Sequence, residues 1–152
     1  MSADERLKAL GLELPGLSGP LANYVPFRRV GDIAYLSGQG PRRPDGAFLT
    51  GKVGADVDVA TAYGHARLTG LGLLAAMKAA AGSLDKVEVV KLLGMVNAVP
   101  GFCEHPQVIN GCSDLLVEVL GDNGRHARSA VGLGSLPNNI TVEIEAIVRI
   151  LP

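Results

Sequence analysis

Toward the C-terminus apolar and polar side chains alternate. Thr141, Glu143 and Glu145 interleave with Val142, Ile144 and Ala146, the period of a strand with one buried face. The alternation predicts a strand over Ile140 to Ile150. Ala127 to Leu133 predicts another, with Ser135-Leu136-Pro137-Asn138-Asn139 turning the chain between them. Val87 to Asn97 is apolar and β-branched for long enough to be a central strand. Near the N-terminus, Tyr24 to Val30 and Ile33 to Ser37 flank a turn at Gly31-Asp32. They read as a hairpin whose second strand ends at Ser37-Gly38-Gln39-Gly40-Pro41.

Between these strands the period lengthens to that of a helix. Tyr63, Ala66, Gly70, Leu73, Leu74, Met77 and Ala81 mark one face of a helix over about Val57 to Ala81, stopped by Gly82. Gly64, Gly70 and Gly72 each cost such a helix about 0.8–1 kcal/mol relative to alanine. Close packing against the sheet is the expected offset. A second helix starts near Pro106, shows an apolar face of Val108, Ile109, Cys112, Leu115, Leu116 and Val119, and ends at Gly121.

The resulting order, β-β-α-β-α-β-β, is that of an α+β fold with two helices packed on one face of a mixed sheet. Val87 to Asn97 follows the first long helix as the second arm of a βαβ unit. Leu7 to Pro20 reads as a short helix and then a loop, broken at Pro15, Gly16, Gly19 and Pro20, so residues 1–20 form an N-terminal extension to a single domain. Residues 40–56 are rich in glycine and proline and leave room for one short strand around Ala47-Phe48-Leu49. Two helices on one face leave the other face bare. With 47% hydrophobic residues, this predicts self-association.

Composition narrows the function. Fourteen basic against 15 acidic residues give a net charge of −1, and only 4% of residues are aromatic. Neither favours a nucleic-acid partner, which needs phosphate-pairing cations or stacking surfaces. The N-terminal residues lack the basic and apolar blocks of a signal peptide, and no apolar run approaches the roughly 20 residues of a membrane span. Cys103 and Cys112 form no paired spacing and are expected to be free thiols, Cys112 buried. These features point to a cytoplasmic chain without membrane partners. His65, His105 and His126 fall in different elements without metal-ligand spacing, and His65 is expected on a helix surface.

Two charged residues stand out. Arg128 opens a strand in Ala-Arg-Ser-Ala-Val, where an inward guanidinium needs an anionic partner. Pattern alone also allows a strand-edge surface arginine or an ion pair with Glu143. Glu143, in Val-Glu-Ile-Glu, reads equally as a solvent-facing strand carboxylate.

The run Ala127-Arg128-Ser129-Ala130-Val131, continuing through Leu136-Pro137 to Val142-Glu143-Ile144-Glu145-Ala146, resembles the signature of the RidA/YjgF family. Ser37-Gly38-Gln39, Tyr24 and Asn110 are similar to further motif positions, so the resemblance spans about residues 20 to 150. It implies a chorismate-mutase-like fold, a homotrimer with ligand clefts between subunits, and hydrolysis of reactive 2-imino or enamine acids to 2-oxo acids and ammonia. It further implies Arg128 as the clamp on the substrate carboxylate and Glu143 as the residue positioning water. Tyr24, Ser37, Gly38, Asn110 and Ala130 would line the cleft, with neither metal nor organic cofactor.

The chain departs from the family pattern at Ala130, where many members carry cysteine, and in its N-terminus, its 40–54 stretch and Gly121-Asp-Asn-Gly124. These departures leave open a non-catalytic protein that binds a carboxylate metabolite in the same cleft. Ribonuclease activity, reported for some relatives, fits poorly with the near-neutral charge.

Overall fold

The computed structural model describes residues 1–17 and 22–152. Its elements are helix α1 (Ala3–Ala9), strands β1 (Phe27–Val30) and β2 (Ile33–Gln39), helix α2 (Val59–Ala81), strand β3 (Val87–Asn97), helix α3 (His105–Leu120), and strands β4 (Ala127–Leu133) and β5 (Val142–Ile150). The five strands form one mixed sheet in the order β1-β2-β5-β3-β4, with β3 and β4 parallel and the other neighbours antiparallel. The α+β architecture read from the periodicity is the one observed. The expected βαβ unit between β2 and β3 is split, because β5 inserts between the two strands. The β3-α3-β4 crossover is the unit whose strands are direct neighbours.

Both long helices lie on one face of the sheet. The six apolar positions that mark α3 are all fully buried, as are Leu73, Leu74 and Met77 of α2. They meet Leu92 and Val96 of β3 and Val142, Ile144 and Val148 of β5 in one core. Gly82 stops α2 in the left-handed conformation (φ 80°). The glycines of α2 are offset differently from the sequence expectation. Gly70 faces α3, where a Cβ would lie 2.9 Å from Leu115 Cδ2, and Gly72 faces the Gln39 side chain, while Gly64 has no neighbour within 4 Å. Helix-to-helix contact dominates because α3 supplies its own glycine. A Cβ on Gly111 would overlap the Tyr63 carbonyl, so the two backbones approach as only glycine permits.

Several boundaries move. The N-terminal helix begins at Ala3, ahead of Leu7, because Ser2 and Glu5 form a capping box. It is tied to the body by Ala3 N–H donating to Asp85 Oδ1 (2.8 Å) and by Arg6 Nη1 donating to Val119 O (3.2 Å). The expected breaks at Gly19 and Pro20 lie outside the described residues. The first hairpin strand begins at Phe27, because Tyr24 and Val25 are exposed and Pro26 has no N–H for a ladder. The 40–56 stretch holds isolated bridges, Arg42 to Phe48 and Thr50 to Ile140, in place of a strand.

The face opposite the helices carries Tyr35, Leu93, Met95, Val131 and Ile147; Tyr35 and Val131 remain 50% and 41% exposed. Among the described residues, no helix is long and apolar enough to cross a membrane.

Candidate functional site

β2 and β5 lose register between Leu36 and Gln39. Leu36 pairs with Ala146 and Gln39 with Ile144, so Ser37 and Gly38 together oppose the single residue Glu145. This is a β-bulge, a device that re-aims side chains at the end of a strand. Ser37 Oγ donates to Val25 O (2.6 Å) and Ser37 N–H to Pro26 O (2.9 Å), which ties the segment bearing Tyr24 to the bulge. Gly38 lies against Glu143, and a Cβ there would stand 2.9 Å from Glu143 Oε2.

Glu143 thereby sits half-buried at the rim of a cavity of about 610 Å³. Tyr24, Ser37 and Gly38 line the same cavity. Burial, and then the like charge of Glu145, hold the Glu143 carboxyl above its ordinary value of 4.5. A turn from Pro137 to Ile140 forms another wall. Asn138 and Asn139 both adopt φ 56°, a left-handed conformation that asparagine tolerates better than most residues. Buried Asn97 fixes this turn by donating from Nδ2 to Asn139 Oδ1 (3.0 Å) and Ile140 O (3.1 Å), while Lys52 Nζ donates to Asn97 Oδ1 (2.9 Å).

Arg128, Asn110 and Ala130 form a separate cluster. Arg128 pairs with Leu92 across the parallel ladder and points toward α3. Its Nη1 donates to Asn110 Oδ1 (2.8 Å) and Ser113 Oγ (3.1 Å). Among the described residues Nε and Nη2 have no hydrogen-bond partner, so one edge of the guanidinium fork is free for a planar anion. Ala130, two residues along on the same face, is partly buried against the core.

Behind Arg128 runs a relay that sequence reasoning did not reveal. His126 Nδ1 lies 2.6 Å from Gly124 O, which can only accept, so Nδ1 carries the proton. Nε2 of the neutral ring then accepts from Ser113 Oγ (2.9 Å), whose lone pairs face Arg128. Burial lowers the His126 pKa, and Arg128 lowers it further against the opposing effect of the Gly124 bond.

Arg128 and Glu143 are not an ion pair. They sit two strands apart with β3 between them, and Glu143 alternates with buried Val142 and Ile144 onto the face away from the helices. One chain therefore holds these two candidate side chains apart. His65 is not a surface residue as expected: it is half-buried, and its Nδ1 lies 2.8 Å from Thr141 Oγ1, linking α2 to the start of β5. Cys112 is fully buried as expected, its thiol pushed up to about 12 by burial, while Cys103 is exposed.

The cavity also holds residues that no motif or period in the sequence marks. Arg42 lies 4.2 Å above the Phe48 ring, and both line it. Leu14 and Leu17 of the N-terminal segment and Leu68 and Leu71 of α2 also line it. Among the described residues, no group of three or more His, Cys, Asp or Glu could hold a metal ion.

Comparison with known proteins gives a consistent picture. A family model described as "YjgF/chorismate mutase-like, putative endoribonuclease" matches residues 4–146. Protein TCP17 of Trypanosoma cruzi is 42% identical over 146 residues, covering 95% of this chain and 91% of that protein. The crystal structure of a protein of unknown function from Agrobacterium tumefaciens is 50% identical, with a TM-score of 0.88 over 97% of this chain and 91% of the other. A Shewanella oneidensis structure is 35% identical, with a TM-score of 0.94 over 99% of this chain and all of the other.

Proposed function

Since the chain belongs to the YjgF/chorismate mutase-like family, we propose that it hydrolyses reactive 2-imino acids to 2-oxo acids and ammonia in a cleft between two copies of the chain within a homotrimer. The observation that carries this reading is the division of the candidate residues. Arg128 presents an open guanidinium edge beside α3, whereas the Glu143 side chain leaves the same sheet on its other face and lines a cavity. A second copy is needed to bring the two together. The partly apolar sheet face, with Tyr35 and Val131 exposed, supplies a surface for that association.

In this reading Arg128 of one protomer takes the substrate carboxylate on Nε and Nη2, while Asn110 and Ser113 hold Nη1. The carboxylate, once fixed, places the adjacent iminium carbon over Glu143 of the neighbour. Glu143, its carboxyl raised by burial, accepts a proton from water as the oxygen bonds to that carbon. Glu143 then passes that proton to nitrogen and takes the proton of the new hydroxyl as the C=O bond forms and the C–N bond breaks, and ammonia leaves with that second proton as ammonium, the 2-oxo acid remaining behind. Tyr24 closes the rim.

The test is to generate a 2-imino acid with an amino-acid oxidase and follow its capture by semicarbazide. The protein should suppress semicarbazone formation catalytically, and Arg128→Ala should abolish the effect. An imine lifetime unchanged by stoichiometric protein refutes hydrolysis. If a 2-oxo acid still binds in calorimetry, and Arg128→Ala abolishes that binding, the chain is a carboxylate-binding protein.

A further inference from the structure

We infer that the substrate is a 2-imino acid with a bulky apolar side chain, such as those derived from leucine or phenylalanine, rather than one of three or four carbons. This rests on the reading of Glu143 as the hydrolytic residue and names the substrate class of that same site. A cavity of about 610 Å³ falls within the roughly 300–1,000 Å³ of pockets that enclose drug-sized ligands. A three-carbon imino acid leaves most of it empty.

The chemistry of the walls supports the choice. Much of the lining is apolar: Leu68 and Leu71 of α2, Leu14 and Leu17 of the N-terminal segment, and Phe48 and Ile140. Arg42, stacked 4.2 Å over the Phe48 ring, braces that ring as a wall. Glu143 lines the same cavity. A substrate whose reacting carbon sits at Glu143 can therefore send its side chain toward the leucines without leaving the cavity. These apolar residues all belong to one chain, so association at the sheet face is not needed to bring them together.

Apolar pockets discriminate by size. Each methylene that fills or misses such a pocket changes relative turnover by about 10- to 200-fold. A substrate too small to reach the leucines forgoes that gain.

The experiment uses the full-length protein with D-amino-acid oxidase, which supplies imines from D-alanine, D-leucine and D-phenylalanine. Because Cα is planar in the imine, the configuration of the parent amino acid does not matter. Semicarbazide capture reads the rate for each. The kcat/KM for the leucine- or phenylalanine-derived imine should exceed that for the alanine-derived imine by about tenfold or more. Leu68→Trp, which takes up space in the apolar lining, should reduce that ratio by a similar factor, and Leu71→Trp serves if the first variant folds poorly. A preference for the alanine-derived imine, or a ratio that neither variant changes, overturns the inference.

Failure of the hydrolytic reading is distinguishable, because then no imine is consumed. Calorimetry with phenylpyruvate and pyruvate decides the size question in that case. Tighter phenylpyruvate binding, weakened in Leu68→Trp, upholds the inference, and equal affinity overturns it.

Discussion

Gly38 and Glu143 are in contact across the β2–β5 bulge, and a Cβ at Gly38 would stand 2.9 Å from the carboxylate oxygen Oε2 and 3.1 Å from Cδ. The atoms in the way belong to the end of a flexible side chain and not to backbone, so Gly38→Ala should move Glu143 while leaving the fold in place. A displacement of about 1 Å at a reacting group can cost 100-fold in rate. The variant should therefore lose about 10- to 100-fold in imine hydrolysis and change Tm by under about 3 °C. Steady-state kinetics and thermal unfolding, measured together, check this. Activity within twofold of wild type would show that Glu143 needs no such seat.

The division of the site between copies predicts complementation. Arg128→Ala and Glu143→Gln should each be inactive as homo-oligomers. Unfolded together and refolded, the two should regain activity, because some clefts then receive Arg128 from one chain and Glu143 from the other. Random assortment in a trimer restores about one quarter of the sites. Mixtures that stay inactive while mass spectrometry shows hybrid trimers would rule out a shared cleft.

Arg128→Lys tests the fork in particular. Lysine keeps the charge but cannot hold Asn110 and Ser113 with one nitrogen while offering a planar pair of donors to a carboxylate. The loss of one charge-assisted hydrogen bond, about 1.5–3 kcal/mol, corresponds to about a 10- to 150-fold drop in kcat/KM. A drop under twofold would mean that charge alone suffices.

His126 gives a pH dependence with a definite sign. Its folded pKa lies below the ordinary 6.5, chiefly through burial, and His65 is shifted the same way by burial. The unfolded chain thus binds these protons more readily. Their contribution to stability is full above about pH 6.5 and is lost as pH falls through that value toward the folded pKa. Protonation also turns Nε2 of His126 into a donor and removes the acceptor that orients Ser113 beneath Arg128. Substrate affinity, a property of the folded state, should weaken as pH falls through the folded pKa, below 6.5. In His126→Gln both profiles should be flatter. Wild-type and variant profiles that overlay would remove His126 from the relay.

What the sequence revealed was what repeats. The last strand and the apolar faces of both long helices are read directly from periods of 2 and 3.6, since burial on one face imposes them, and Val87–Asn97 from its apolar, β-branched run. Alternation also puts Glu143 and Glu145 on the same face, but it does not tell them apart. Their difference comes from the extra residue in Ser37-Gly38, an offset that leaves no trace in the period of either strand. Hydrophobic period does not mark the start of the N-terminal helix, which the Ser2–Glu5 capping box sets ahead of Leu7. Nor does it bring Arg42 to Phe48, because their meeting depends on a turn through Gly46 at φ 88° rather than on any repeat. The His126–Ser113–Arg128 relay joins a strand, a helix and the turn between them, so only the folded chain brings it together.

Glu143 itself should trade stability for function. Burial and Glu145 raise its pKa above 4.5, so the folded state holds the carboxylate at a cost. That cost is full above the folded pKa and disappears as pH falls below the unfolded value near 4.5. Glu143→Gln keeps the shape and removes the charge. Near neutral pH the variant should melt about 1–3 °C above wild type, and the gain should vanish in acid once the wild-type carboxyl is protonated. Imine hydrolysis should fall by about 100-fold or more as the proton acceptor is lost. A variant that is inactive and less stable at neutral pH would mark Glu143 as a structural carboxylate, and one that is more stable yet fully active would place the proton acceptor elsewhere in the cavity.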